Sequence, residues 1–312
     1  MLSLRSIFLK ISKYLKATVR GSLSLVLITR GLSLGLCLSL SLGAVSAAYA
    51  ADDTSTDLTI IARNLKASTE HDKNAPIKVC AVPQLYAALS TLQGKTKIDF
   101  VPRFATNNEL YALLSNTNTE QLPQLCDLLL SADERLPISL VRTNRALASS
   151  LVPFTRAPLV LWSADPELLS GHDPRTLLNK RQIKSIAIAQ RELTPVGYAT
   201  NQVIKNHLDL SSLRNQTYKA SHEYQVYSMV SSGNVNCGFI SMPLIVDTKQ
   251  QIQGSYWLVP RRMHSDIQYY GVLLSPSVTN KDAQEFLRYL VEDPEAQKHF
   301  SQFGFSSIKS DI

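Results

Sequence analysis

The first fifty residues of this 312-residue chain contain no acidic side chain. They carry six lysines and arginines, and an apolar run rich in Leu and Ser follows Arg30. The segment ends in Ala48-Tyr49-Ala50, which puts small residues at the two positions that a signal peptidase reads. A basic start, an apolar middle and an A-x-A end are typical of a secretory signal. We therefore expect residues 1–50 to be a signal peptide, cleaved after Ala50, and the protein to be periplasmic.

An uncleaved membrane anchor is the alternative, because the basic part is long and residues 22–45 are largely apolar. The many serines and glycines and the A-Y-A end favour cleavage. Lipid attachment at Cys37 is excluded, since Leu36 precedes it where a lipoprotein signal needs a small residue.

The chain also lacks a basic stripe and any nucleic-acid recognition motif. Its net charge of +7 includes the six positive charges of the signal, so the mature protein carries about +1. A high isoelectric point of this origin says nothing about nucleic acid, and we expect no nucleic-acid partner.

Motifs for metal binding and catalysis are missing as well. The six histidines show no paired spacing such as H-x-x-x-H, and no G-x-S-x-G elbow surrounds Ser231-Ser232-Gly233. We expect no metal site, no cofactor and no enzymatic activity. One pair leaves an alternative open: His222 and Glu223 could bind a cation or a zwitterion together, whereas a solvated helix start is the simpler interpretation.

Few cysteines remain after the signal, namely Cys80, Cys126 and Cys237. An odd number in an oxidising compartment allows one disulfide at most and leaves one thiol over. Cys80 and Cys126 each lie in or beside a predicted core strand, so they could pair if those strands are neighbours. Buried free cysteines are the equal alternative.

What the chain does contain is a series of apolar strands separated by helical patterns. Residues 51–76 are polar and broken except for a short apolar stretch at Leu58–Leu65, and are interpreted as a linker, with a leader helix on the surface as the alternative. Strands that alternate with helices, several of them apolar on both faces, predict parallel sheets in an α/β protein. The predicted strands are Ile77–Val82, Lys97–Val101, Asp127–Leu130, Leu159–Trp162, Ile186–Ala189, Cys237–Ser241 and Tyr269–Leu274.

Helix signals lie between these strands. A helical spacing of apolar residues covers Gln84–Leu92, and Thr106 to Glu109 matches a capping box. Asp293-Pro294-Glu295 predicts the start of the last helix, and Gly304 its end.

The stretch from Ile186 to Ile204 is the most informative. A buried strand, IAIA, is followed by a short polar loop, and Thr194-Pro195-Val196-Gly197 then opens a helix. A helix that starts at the carboxyl end of a strand presents backbone N–H groups there, which is a suitable geometry for an anion or another polar ligand. An ordinary capped helix of an α/β unit has the same sequence pattern.

The order of these motifs resembles the periplasmic molybdate-binding proteins of ABC importers. The resemblance is carried by VCAVPQLYAAL (79–89), FATNNEL (104–110), CDLLLSADE (126–134), IAIAQRELTPVGYA (186–199), SSGNVNCGFIS (231–241) and the segment 269–305. It implies two α/β lobes with mainly parallel sheets, joined by a hinge of crossover strands and closing over a ligand. The first lobe would comprise 77–152 plus 262–312, and the second 153–261.

The resemblance also implies five ligand-binding positions: Gln84, Asn107, Val196, Glu223 and Ser241. None keeps the side chain usual for the family. Gln84, Asn107 and Ser241 are polar and can donate hydrogen bonds, and Val196 offers its backbone N–H. Glu223 is unexpected, because a carboxylate in a dianion pocket is costly unless it is paired or points away. Either it faces solvent, or the ligand is not a dianion.

The function implied is that of a monomeric periplasmic solute-binding protein. It would capture a small, molybdate-like oxyanion or another small polar solute and deliver it to an ABC permease in the inner membrane. The alternative is a module whose pocket has drifted, and which serves sensing or protein interaction without transport. Trp162 and the Tyr269-Tyr270 pair lie near the predicted crossovers, where core packing is expected and a stacking platform for an organic ligand is the alternative.

Overall fold

The computed structural model describes residues 75–308, all within one unit of the chain, Asp53–Ile312. The predicted signal peptide, its alternatives and nearly all of the predicted linker lie outside the described residues. Among residues 75–308 no helix is both long and apolar enough to cross a membrane.

Ten strands and nine α-helices make up the described chain, with short 3₁₀ turns between them. The strands are β1 (Ile77–Ala81), β2 (Phe100–Phe104), β3 (Leu128–Ser131), β4 (Val152–Ala157), β5 (Leu159–Ser163), β6 (Ile186–Ala189), β7 (Thr217–Ala220), β8 (Cys237–Ser241), β9 (Ser255–Leu258) and β10 (Ile267–Leu273). The helices are α1 (Tyr86–Leu92), α2 (Asn107–Asn116), α3 (Leu122–Leu125), α4 (Arg135–Arg142), α5 (Pro174–Asn179), α6 (Pro195–His207), α7 (Glu223–Ser231), α8 (Lys281–Glu292) and α9 (Pro294–Gln302).

The strands form two five-stranded sheets of the same design. Their orders are β2-β1-β3-β10-β4 and β7-β6-β8-β5-β9. In the first sheet β10 is antiparallel to both neighbours, and in the second β5 is, while the other four strands of each sheet share one direction. We call the parts built on these sheets the first and the second lobe. The predicted two-lobed α/β fold with mainly parallel sheets is confirmed.

The chain passes between the two sheets twice. It leaves the first sheet after Ala157 and enters the second at Leu159, and it returns between Leu258 and Ile267. Strand β4 continues past the predicted limit at 152/153 and pairs with β10 in the first sheet. The limits of 77–152 plus 262–312 and 153–261 for whole lobes stay a prediction.

The second predicted strand, Lys97–Val101, is wrong in its position. Strand β2 starts at Phe100, whose buried ring packs against Phe286 with the ring centroids 4.5 Å apart. It lies at the edge of its sheet, where Pro102 is tolerated because its missing N–H removes no ladder bond on the open side. The prediction also omitted β4, β7 and β9, which occupy the other three sheet edges.

The predicted helix signals are confirmed. Thr106 and Glu109 form the capping box of α2, with the Thr106 backbone N–H donating to Glu109 Oε2 at 2.7 Å. Asp293 caps α9 by accepting a bond from the Glu295 N–H at 2.8 Å, and Gly304 follows the helix with φ +83°. Only glycine adopts that left-handed conformation readily.

Cys80 and Cys126 form a disulfide, with their Cα atoms 5.6 Å apart. Cys80 lies in β1 and Cys126 precedes β3, and these strands are parallel neighbours in the first sheet. Cys237 in β8 is a buried free thiol, and burial raises its pKa to about 12. The alternative of three free cysteines is therefore wrong.

Candidate ligand-binding site

A small cavity of about 50 Å³ lies between the two lobes, at the carboxyl ends of their parallel strands. The first turns of three helices line it: α2 from the first lobe, and α6 and α7 from the second. The loop after β1 and the Ala132-Asp133 pair after β3 complete the wall. We call this space the buried cavity. By volume it holds a few water molecules, and thus a solute no larger than a small oxyanion.

Each of the three helix starts is capped by a side chain. The Thr194 hydroxyl accepts a bond from the Gly197 N–H at 2.9 Å, and His222 Nδ1 accepts one from the Gln225 N–H at 3.2 Å. Thr106 belongs to the capping box of α2. The caps satisfy one amide each, while the other first-turn N–H groups have no partner within their helices. Three helix N-termini therefore direct partial positive charge at one cavity.

Four of the five predicted site residues line the buried cavity. Gln84 and Asn107 come from the first lobe, and Val196 and Glu223 from the second. Ser241 does not line the cavity. This residue is fully buried at the end of β8, and its backbone N–H donates a hydrogen bond to Glu223. Whether these residues bind a ligand stays a prediction.

Glu223 does not face solvent, so the first of the two sequence alternatives is wrong. The second, that no dianion binds beside an ionised Glu223, stays a prediction. Its side chain is 4% exposed, and both carboxyl oxygens accept hydrogen bonds. Gln84 Nε2 donates to Oε1 at 2.5 Å, and the Ser241 backbone N–H donates to Oε2 at 2.9 Å. Burial raises the pKa of Glu223, and the bonds from Ser241 and Gln84 oppose that shift.

Asn107 belongs to a short chain of polar contacts. The Ser131 hydroxyl donates to Asn107 Oδ1 at 3.1 Å and accepts a bond from the Asp133 N–H at 3.3 Å. With its oxygen occupied, the Asn107 side chain has its NH₂ group left to donate. The contact with Ser131, at the end of β3, fixes the start of α2 relative to the sheet.

Sequence reasoning missed Arg135 at the start of α4. Its guanidinium donates to the Glu192 carbonyl at 3.0 Å and also bonds the Leu193 carbonyl. Both carbonyls lie in the loop between β6 and α6, so one first-lobe side chain links to the second lobe. Arg135 also pairs with Asp133 at 2.9 Å. A basic residue directly after the S-A-D-E of the third strand was the available signal.

Tyr269 is a core residue, as the sequence predicted. It is fully buried in β10, and its hydroxyl lies 3.4 Å from Ser241 Oγ. Burial, and secondarily the charge of Glu223, keeps its pKa well above 10. Trp162 is also buried and stacks on Tyr227 at 5.1 Å, so neither ring forms an open platform.

His222 Nδ1 and both carboxyl oxygens of Glu223 bond other partners in this arrangement. His222 Nδ1 accepts the hydrogen bond that caps α7, and the carboxyl of Glu223 accepts bonds from Gln84 and Ser241. Burial lowers the pKa of His222, so that its ring is neutral at neutral pH. Within residues 75–308 no three His, Cys, Asp or Glu side chains cluster in a way that would hold a metal ion.

A wider depression of about 600 Å³ adjoins the buried cavity and shares Pro83, Thr106, His222 and Tyr224 with it. It is more open to solvent than the buried cavity. Tyr86 and Tyr224, both exposed, line this depression.

Replacing the cap of α6 should loosen this wall of the cavity. In Thr194→Ala the Gly197 N–H loses its acceptor, and we expect unfolding free energy to fall by about 1 kcal/mol. Urea unfolding measures this change. The matched control is Thr176→Ala in the first turn of α5, an exposed threonine outside the cavity; an equal loss in both variants would contradict the capping role.

Two similar α/β lobes with a cavity between them, lined by three helix N-termini, define a two-lobed ligand-binding protein. Comparison with known proteins gives the family. The family of bacterial extracellular solute-binding proteins matches residues 77–306, and the chain belongs to it.

Its relatives include two molybdate-binding proteins named ModA. The one from Azotobacter vinelandii is 26% identical over 179 residues, which cover 57% of this chain and 70% of the relative. The one from Rhodobacter capsulatus is 27% identical over 179 residues, covering 57% and 68%. The solved structure of the periplasmic molybdate-binding protein of A. vinelandii superposes with a TM-score of 0.61 at 25% identity, covering 73% of this chain and 98% of that one. The resemblance seen in the sequence is confirmed.

Proposed function

We propose that this protein captures a small oxyanion in the buried cavity and delivers it to an ABC permease in the inner membrane. The observation that carries the proposal is the convergence of three helix N-termini, α2, α6 and α7, on one cavity between the lobes. Uncharged donors and helix dipoles bind oxyanions without a cationic side chain. The names of the molybdate-binding relatives support the same ligand class.

Because a bound ligand would contact both lobes, ligand binding and closure of the two lobes would be coupled. Gln84 and Asn107 would donate from the first lobe, and the Val196 N–H from the second. Glu223 and Ser241 would shape the site from the second lobe. A ligand that bridges the lobes stabilises the closed state in proportion to its contacts on both sides. We propose that the mature protein works in this way as a periplasmic monomer, after removal of the signal at Ala50.

The test is a binding screen on protein purified from the periplasm. Calorimetric titrations with molybdate, tungstate, sulfate and phosphate should give one site for at least one of them, and thermal unfolding should shift upward with ligand concentration. Amino acids and sugars serve as comparison ligands. An absence of binding by all oxyanions, or binding of a sugar or amino acid in their place, would contradict the proposal.

A carboxylate placed in the cavity should weaken this binding. Asn107→Asp keeps the size of the side chain but adds a negative charge beside the anion, and we expect Kd to rise at least about tenfold. Asn116→Asp is the matched control, because it makes the same change at the exposed far end of α2. Equal affinities of the two variants would place the anion elsewhere.

The drifted, non-transporting module has one observation in its favour. The carboxyl of Glu223 already takes up donors from both lobes, Gln84 and Ser241, where an external anion would need them. A protein of that kind would bind none of the oxyanions at any pH and would retain partner proteins from a periplasmic extract.

A further inference from the structure

The carboxyl group of Glu223 makes the contacts that a bound anion would make between the two lobes. One of its oxygens accepts a bond from Gln84 of the first lobe, and the other from the Ser241 N–H of the second. A bridging ligand would make the same two kinds of contact. No cationic side chain pairs with Glu223 in the described part of the chain, so the carboxyl has hydrogen bonds but no counter-charge.

Gln84 has one polar atom left over. Its side chain is 8% exposed and lines the buried cavity, and its Oε1 is buried without a hydrogen-bond partner among residues 75–308. A buried acceptor in this state is unfavourable. Rotation of the amide by 180° about its last bond exchanges Oε1 and Nε2 and leaves the rest of the side chain in place. Oε1 then faces Glu223, and Nε2 takes the unpartnered position.

That rotated arrangement needs a proton on Glu223. An ionised carboxylate can only accept, so it holds the Nε2 group of Gln84. A protonated carboxyl donates its O–H to Oε1 instead, across the same contact between the two side chains. The amide N–H groups of Gln84 are then released for a ligand. Protonation also removes the negative charge that would repel an anion at the start of α7.

We infer that Glu223 couples oxyanion binding to the uptake of one proton: the cavity binds the anion when the Glu223 carboxyl is protonated and Gln84 has turned its amide N–H groups toward the ligand. This inference rests on the proposed function of the same site. The proton comes from solvent and stays on a carboxyl oxygen of Glu223, so a dianion and one proton enter together and add a single negative charge. The coupling weakens anion binding as pH rises.

Other titratable groups near Glu223 do not replace it in this role. Those that line the cavity, pair with its lining or approach Glu223 are Glu109, Asp133, Arg135, His222, Tyr224 and Tyr269. Asp133 is paired with Arg135, and the carboxylate of Glu109 accepts the bonds of its capping box. Burial lowers the pKa of His222 and raises that of Tyr269, so both are neutral at neutral pH. Burial raises the pKa of Glu223, in the direction that the coupling needs.

The sign of the pH dependence follows from this direction. Below the pKa that Glu223 has in the folded protein, its carboxyl is protonated, and the affinity for the anion does not depend on pH. Above it each unit of pH should raise Kd about tenfold, because one proton must be taken up for each anion bound.

The experiment is calorimetric titration of the whole mature protein with sulfate and with molybdate between about pH 6 and pH 9, in two buffers of different ionisation enthalpy. Above the pKa of Glu223 we expect uptake of one proton per anion in the wild type, and below it none. Glu223→Gln, which imitates the neutral carboxyl, should bind with a Kd that does not change with pH and should take up no proton. Glu120→Gln is the matched control: this exposed residue loses the same charge, and the variant should behave like the wild type.

The outcomes separate this inference from the proposed function. Oxyanion binding with no proton uptake and with equal pH profiles in the wild type and Glu223→Gln would overturn the inference and leave the function standing. Failure of both proteins to bind any oxyanion over the whole pH range would overturn the function and the inference with it. Proton uptake in the wild type is measured without any variant, so an unfolded Glu223→Gln protein would not prevent a decision.

Discussion

Gly197→Ala should lower the free energy of unfolding by about 3 kcal/mol, because the new methyl group has no room. A Cβ at this position would lie 2.4 Å from the Gln190 carbonyl oxygen and 2.7 Å from that of Ala189. Both atoms are backbone, so the first turn of α6 would have to move away from the end of β6. That turn carries the Val196 N–H, and oxyanion binding should therefore weaken at least about tenfold.

The sign of this effect is diagnostic. At an ordinary helix position Gly→Ala stabilises by about 1 kcal/mol, since alanine has the higher helix propensity. Asn206→Ala, at the exposed end of the same helix, is the control and should be close to neutral. Urea unfolding gives the stabilities and calorimetry the affinities. A stabilised Gly197→Ala protein with normal binding would show that the close packing of α6 on β6 is wrong.

Reduction of the Cys80–Cys126 disulfide should be the second large effect. The bond joins residues 46 apart and encloses β2 and α2. Opening a loop of this length restores chain entropy to the unfolded state, and we expect a loss of about 2–4 kcal/mol. Because β2 leads directly into α2, whose first turn lines the cavity, the reduced protein should also bind ligand more weakly.

The measurement compares urea midpoints with and without reductant. The double variant Cys80→Ala/Cys126→Ala is the control, and its midpoint should not respond to reductant. In the folded protein burial raises the pKa of Cys237 to about 12, so that this thiol stays protonated there. An unchanged midpoint of the wild type under full reduction would contradict a stabilising disulfide.

The sequence predicted the interior of both sheets and failed at their edges. Strands β1, β3 and β10 of the first sheet and β5, β6 and β8 of the second are internal, and each was placed within two residues of its observed ends at most. Such strands are buried on both faces and appear as continuous apolar runs. The edge strands β2, β4, β7 and β9 were shifted or missed, since one side is open and their sequences are mixed, as in Thr217–Ala220.

The candidate site shows a similar division. The helix starts were predictable from local signals: the capping box at Thr106 and the Thr194-Pro195 pair determine where α2 and α6 begin. The partners of Glu223 were not, because Gln84 is 139 residues away in the chain and Ser241 is 18 away. The contact with Gln84 depends on how the two lobes meet, and the contact with Ser241 depends on how α7 packs on β8. No local pattern encodes either arrangement. The same holds for the link from Arg135 to the second lobe.

The central claim is that an oxyanion occupies the buried cavity between the helix N-termini. Crystals of the protein with tungstate test it most directly, because anomalous scattering identifies the tungsten atom. One strong peak is expected in the cavity, with oxygens within hydrogen-bond distance of Gln84, Asn107 and the Val196 N–H. Peaks only on the surface, with the cavity empty, would contradict it.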